Sequence, residues 1–202
     1  MYSLVVATRN KNKLAELSQA CGPDLRLEPI PKEAREVKEG TVSLEENATL
    51  KATSAVADLG RPAMADDTGF FVDALDGRPG VLSARFGGLA TDGERRQLVL
   101  KLLEGVEPAQ RTAHYETVLC LAFPDGKQLV ARASVYGTVP LAEQGTGGFG
   151  YDAVFIPAEG TGLSFAEMTT DEKNAMSHRG RAMRAMLDEH ADAISDLLQS
   201  VH

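Results

Sequence analysis

Apolar and polar positions fall in blocks whose spacing predicts an α/β protein. Tyr2 to Ala7 is a short apolar run that reads as a buried strand. It gives way to the polar loop Thr8-Arg9-Asn10-Lys11-Asn12-Lys13. Leu14, Leu17 and Cys21 then recur at spacings of three and four, which places them on one helical face. Strand, short loop and helix form the opening unit of an α/β fold. After a polar stretch, Pro31 to Gly40, Ser43-Leu44-Glu45-Glu46 has the Ser and Glu spacing of a capping box. That helix runs to about Leu59, and Gly60-Arg61-Pro62 stops it.

Ala63 to Ala65 reads as a short strand ending in Asp66-Asp67-Thr68-Gly69, and Phe70 to Leu75 is apolar again. Arg78-Pro79-Gly80 is a turn. Thr91-Asp92-Gly93-Glu94 is a second capping box and opens a helix through Leu103. Thr112 to Phe123 and Gln128 to Val139 flank Pro124-Asp125-Gly126, where Pro sets φ and Gly permits a positive φ, so a long hairpin is expected. A glycine-rich loop, Gly145 to Gly150, leads to an expected strand, Tyr151 to Ile156. Helices are expected over about Lys173 to Glu189 and Ala191 to Ser200. With no internal repeat, linker or low-complexity segment, residues 1–202 read as one α/β domain with a mixed sheet.

Composition narrows the function. The chain has 202 residues, 43% apolar and 25% charged, with 21 basic against 29 acidic side chains and a net charge of −8. That balance argues against a nucleic-acid coat, and the apolar share argues against disorder. No run approaches the ~20 apolar residues of a membrane span. Cys21 and Cys120 form no C-x-x-C, and Cys120 lies in an apolar run, so a buried free thiol is expected. The start lacks a basic region before its short apolar run, and a cytoplasmic protein is expected.

Four groups of residues could carry chemistry. The loop Thr8 to Lys13 holds three cations where open α/β sheets bind ligands, at the carboxyl end of a strand and the start of a helix. It reads as a phosphate pocket or as a solvated loop, and it lacks a Walker A pattern. Glu39, Glu46, Asp66, Asp67 and Asp73 gather oxygen donors suited to Mg²⁺, or serve turns and caps. Neighbouring Asp66 and Asp67 should point opposite ways on a strand, so one of them enters a given site. Gly145, Gly147 and Gly150 fit G-x-G-x-x-G, but a strand rather than a helix is expected next. The loop therefore reads as a flexible rim, with Phe149 a stacking face and Asp152 an acceptor. Lys173 with Ser177-His178-Arg179-Gly180 reads as a donor group or as a charged helix surface. His114, His190 and His202 lack metal-ligand spacing, and no G-x-S-x-G nucleophile pattern is present.

Taken in order, these blocks resemble the inosine triphosphate pyrophosphatase family. They are Ala7-Thr8-Arg9-Asn10 with Lys13, Glu39, Glu46-Asn47-Ala48 with Lys51-Ala52, and Ala65 to Gly69. Val72 to Leu75, Gly77 to Val81 with Ser83-Ala84-Arg85-Phe86, Gly145 to Asp152, and Lys173 with Ser177 to Gly180 complete the set. The resemblance implies a two-lobed mixed β-sheet flanked by helices, of Maf/Ham1 type, with a cleft between lobes. It implies a homodimeric, Mg²⁺-dependent enzyme that cleaves dITP, ITP and XTP to the monophosphate and pyrophosphate. On that reading Thr8, Arg9, Asn10, Lys11, Asn12 and Lys13 bind the triphosphate, with Lys51 also facing it. Asp67 is the metal-linked proton acceptor, Glu39 a second metal contact, and Thr68 touches substrate. Phe149, Gly150, Tyr151, Asp152, Lys173, His178 and Arg179 hold the base and sugar. Thr68 stands where the family often has Ser, and Arg9 where it often has Gly or His. A pyrophosphatase for modified pyrimidine or other purine nucleotides, a nucleotide sensor without turnover and a nucleic-acid-binding module are the rival expectations.

Overall fold

The computed structural model describes Met1–Gln199, so Ser200, the expected end of the last helix, and His202 lie outside the described residues. In chain order the elements are β1 (Tyr2–Val6), α1 (Lys11–Ala20), β2 (Leu25–Pro29), α2 (Leu44–Leu59), β3 (Ala63–Val72) and β4 (Pro79–Gly80). Then follow α3 (Asp92–Leu102), β5 (Thr112–Ala122), β6 (Gln128–Thr138), β7 (Ile156–Pro157), α4 (Thr170–Met176), α5 (His178–Glu189) and α6 (Ala191–Gln199). The strands hydrogen-bond in the order β2-β1-β3-β5-β6-β7, with β4 on β3. β1 is parallel to β2 and β3, whereas β4 is antiparallel to β3 and β7 to β6, so the sheet is mixed as the sequence predicts.

The chain forms two compact units. The first holds Met1–Asp67, Thr117–Ala133 and the residues from His178 onward; the second holds Thr68–Glu116 and Ser134–Ser177. In the first, Leu4 and Val6 of β1 pack with Met64, Leu119, Leu121, Met183 and Met186. Val5, on the other face of β1, packs with Ala55 and Ala63. A strand covered on both faces reads as an unbroken apolar run, which Leu4-Val5-Val6 is. The second unit has an aromatic core in which Phe70 lies 4.9 Å from Tyr115 and 4.8 Å from Tyr151, ring centre to ring centre.

Caps set the helix starts. Ser43 accepts the Glu46 N–H, and Thr91 and Thr169 form full reciprocal capping boxes. Pro124-Asp125-Gly126 joins β5 to β6 as predicted.

Three expectations need correction. β3 is one continuous strand of ten residues, because Asp66 and Asp67 have cationic partners and need not end it. Of the expected strand Tyr151 to Ile156 only Ile156, which opens β7, is in a strand: Asp152–Val154 is a 3₁₀ turn, drawn in by the Asp152 carboxylate folding back onto the Phe149 N–H. The helix over Lys173 to Glu189 is broken at Ser177, whose extended backbone (ψ 151°) separates α4 from α5. β2 has no counterpart among the predicted elements; its Leu25 and Leu27 alternate over five residues only.

Candidate active site

The loop after β1 is shaped by its own polar side chains. Thr8 Oγ1 accepts the Asn10 N–H at 3.1 Å, and Asn10 Oδ1 accepts the N–H groups of Asn12 and Lys13 at 2.9 and 3.3 Å. Asn10 thereby caps α1, whose positive dipole end faces the loop. Lys13 extends from the first turn to Asp66, Nζ to Oδ2 2.9 Å. Arg179 Nε lies 3.2 Å from the same oxygen, and its Nη1 lies 2.8 Å from Glu16 Oε2. Lys13, Asp66, Arg179 and Glu16 thus alternate in sign through a buried chain, with Lys13 its half-buried end. Burial alone would raise the Asp66 pKa, but Lys13, Arg179 and Lys51 outweigh it and hold the carboxyl well below the usual carboxylate range. Asp66 is therefore an ionised anchor and a poor proton acceptor.

Asp67 meets a second set of partners. Lys51 Nζ donates to Asp67 Oδ1 at 2.9 Å and to Glu39 Oε1 at 2.7 Å. Asn47, one turn earlier on α2, donates its side-chain Nδ2 to Asp67 Oδ2 at 3.0 Å, and its Oδ1 accepts the Gly40 N–H at 2.8 Å. Burial pushes the Asp67 carboxyl above its ordinary value and Glu39 adds to this, while Lys51 pulls it down without cancelling the rise. Lys51 is held above the usual range: burial acts against its charge, and Asp67, Asp66 and Glu39 overcome that. A carboxylate of raised basicity beside a permanent cation is suited to taking a proton from water.

A cavity of about 260 Å³ in this unit is walled by Thr8, Asn10, Lys13, Glu39, Lys51 and Asp66 among others. Arg9 also lines it, with Nη2 on the carbonyls of Lys32 and Ala34 at 3.2 and 2.8 Å. Lys11 and Asn12 are exposed. Among the described residues no group of three or more His, Cys, Asp or Glu is arranged to hold a metal by itself. Glu39 and Asp67 do converge on one ammonium, and two hard oxygen donors fit a Mg²⁺ ion shared with substrate phosphates, not one caged by protein alone.

The second unit gathers the other predicted residues. Asp152 Oδ2 accepts from Lys173 Nζ at 2.6 Å and from the Phe149 N–H at 2.8 Å. Lys173 Nζ lies 4.7 Å from the centre of the Phe149 ring. Gly148, at φ +67°, runs so close to the Asp152 carboxylate that a Cβ there would collide with it. The Tyr151 N–H donates to the Tyr115 hydroxyl at 3.1 Å, and the Tyr151 hydroxyl to the Ser83 carbonyl at 2.8 Å. Thr68 is half-buried, directly after Asp67 in β3.

Lys173 belongs to the second unit, and His178 and Arg179 to the first. These two open α5, where His178 Nδ1 lies 2.7 Å from Thr117 Oγ1. Glu16 and Tyr115 carry no prediction from the sequence. Glu16 was open to detection, three residues after Lys13 on one helix face; Tyr115 left no such signal.

Residues 4–189 match the model of the Ham1 family. A dITP/XTP pyrophosphatase of Deinococcus deserti is 44% identical over 192 residues, covering 95% of this chain and 90% of that protein. A dITP/XTP pyrophosphatase of Thermus thermophilus is 43% identical over 198 residues, covering 94% and 92%. A solved Ham1 protein of Coxiella burnetii superposes with a TM-score of 0.83 at 32% identity, covering 97% of this chain and all of that one (100%). A dITP/XTP pyrophosphatase structure from Mycobacterium abscessus gives a TM-score of 0.74 at 39% identity, covering 92% and 99%.

Proposed function

The chain belongs to the Ham1 family, and from that premise and the site we infer that it hydrolyses non-standard purine nucleoside triphosphates to the monophosphate and pyrophosphate. The substrates are dITP, ITP and XTP, and the reaction clears deaminated purines from the nucleotide pool. The observation that carries this reading is the Lys51 bridge, one ammonium on both Glu39 and Asp67, at a cavity that Lys51, Glu39 and Lys13 line.

A triphosphate brings about four negative charges into this cavity. Lys13, Lys51 and the donors of Thr8 to Asn12 bind them. Asp67 takes the proton of the water that attacks the α-phosphorus, and Thr68 contacts the substrate beside it. Glu39 and Asp67 are the residues that hold Mg²⁺. When bound, the ion neutralises charge developing on the pyrophosphate. No step needs a covalent intermediate; positioning and electrostatics suffice.

Phe149 to Asp152 and Lys173 take the purine and sugar end. His178 and Arg179 belong to that end by resemblance. The Arg179 pairs with Glu16 and Asp66 also support a part in keeping Lys13 in place. Donors aimed at a 6-oxo group are left unpaired by the 6-amino group of adenine, a mismatch that can reject it by ~10⁴. The reading takes residues 1–202 as one pyrophosphatase domain, acting in the cytoplasm as a homodimer. Among the described residues no helix is long and apolar enough to cross a membrane, and the net charge of −8 disfavours nucleic acid as a partner.

The test is pyrophosphate release with Mg²⁺ from ITP, dITP and XTP beside ATP and GTP, with orthophosphate followed in parallel. Fast release from the first three alone is expected. Release only from modified pyrimidine triphosphates, or binding of ITP without release, contradicts the reading.

A further inference from the structure

The glycine-rich loop Gly145–Gly150 has few side chains with which to hold itself, since four of its six residues are glycine. Glycine loses the most conformational freedom on ordering, so such a loop settles only when something outside fixes it. Its middle is held by the Ala166 carbonyl, which accepts the Gly147 N–H at 3.0 Å, and its end by the first turns of α3. Asp92 Oδ2, itself 2.9 Å from the Gly150 nitrogen, accepts that N–H, and its other oxygen is held by Arg95 at 2.5 Å. One turn later Arg96 Nη1 donates to the Gly150 carbonyl at 2.9 Å. Both backbone polar groups of Gly150 therefore end on α3.

The same guanidinium holds the other end of the segment. Arg96 Nη2 lies 3.1 Å from Glu143 Oε2, and Gln97 donates to Glu143 Oε1 at 2.8 Å. Burial acts against the Glu143 charge, but its bonds to Arg96 and Gln97 hold the carboxyl below the usual range. A planar fork with two terminal nitrogens can serve Glu143 and Gly150 together, which a lysine point charge cannot. Between these two fixed points lies Phe149, its N–H on Asp152 and its ring under Lys173.

We propose that Arg96 is a positioning residue for purine recognition: by pinning Glu143 and Gly150 it fixes Phe149 before substrate arrives. A loop ordered in advance spares the binding step the entropy of ordering it. The proposal rests on the reading that Phe149 to Asp152 take the base. It assigns Arg96 no contact with substrate.

The experiment compares ITP as substrate with inorganic triphosphate as competitive inhibitor, in the parent enzyme and in Arg96→Ala. KM for ITP should rise about tenfold while kcat stays within about twofold. The inhibition constant of inorganic triphosphate, which has no base, should not move. Amide exchange over residues 145–150 should quicken, with the rest of the chain unchanged. Arg96→Lys, which keeps the charge and loses the fork, should fall between the two, and it carries the same comparison if Arg96→Ala does not fold. An unchanged KM alongside faster exchange overturns the proposal, as does a parallel rise in KM and in the triphosphate inhibition constant. Failure of the underlying reading looks different: the parent itself then releases no pyrophosphate from ITP.

Discussion

Asp66 and Asp67 are consecutive in β3, yet they answer to different cations: Asp66 lies 2.9 Å from Lys13 and Asp67 2.9 Å from Lys51. Strand alternation sends neighbouring side chains to opposite faces. The environments then separate the chemistry, with Asp66 held ionised and Asp67 raised in basicity.

Asp67→Asn should remove the proton acceptor and, with it, one of the two carboxylates assigned to the metal. Asn is isosteric, and Lys51 keeps Glu39. Pyrophosphate release should fall by about 10³-fold, within the range general-base catalysis supplies, while the melting temperature changes little. Near-parental turnover places the proton acceptor elsewhere.

Asp66→Asn should act on stability first. Lys13 and Arg179 lose a carboxylate that is almost wholly buried. Breaking a buried pair from one side costs about 3–5 kcal/mol. A urea midpoint equal to that of Asp67→Asn contradicts the division of labour between the two residues.

Acid should remove activity before structure. The Asp66 pKa is lower folded than unfolded. Its stabilising contribution is therefore complete above the unfolded value, ~3.9, and is lost as pH falls through the folded one. Asp67 is shifted the other way, so the stability linked to its proton is present at low pH and fades as pH rises through its folded pKa. Its basic form, which turnover needs, is thus lost on acidification while Asp66 is still ionised. The acid limb of kcat/KM, which reports the free enzyme, should lie above the ordinary carboxylate range in protein whose circular dichroism is still native. Coincident loss of both signals refutes this.

Chelation should stop turnover without unfolding the protein. Glu39 and Asp67 already share Lys51, so the fold has no unbalanced carboxylate pair waiting for an ion. The melting temperature of the substrate-free protein should be the same with and without EDTA. A marked drop on chelation indicates a structural metal.

Local signals carried most of what the sequence revealed. Ser43, Thr91 and the turn at Pro124-Asp125-Gly126 each set an element boundary through contacts within a few residues. β2 escaped because two alternating leucines make too short a pattern to separate from loop. The break at Ser177 escaped because Lys173 to Glu189 holds no proline, and its glycine, Gly180, lies beyond the break. At the site, Thr8 to Lys13, Lys51 and Asp67 stood out as motifs in order. The contacts from Asn47 to Asp67 and from Glu16 to Arg179 span 20 and 163 residues, and pairings of that reach leave no periodic trace.

The Lys51 bridge also bears on what leaves the site. Glu39 and Asp67 act as resident counter-anions, so any anionic ligand competes with them for the charge of the ammonium. A triphosphate arriving with its metal carries enough charge for that exchange. A nucleoside monophosphate, with about half the charge and no pyrophosphate arm, competes poorly. On the proposed function, the two carboxylates stand ready to neutralise Lys51 as product departs, and inhibition by monophosphate or orthophosphate should be weak.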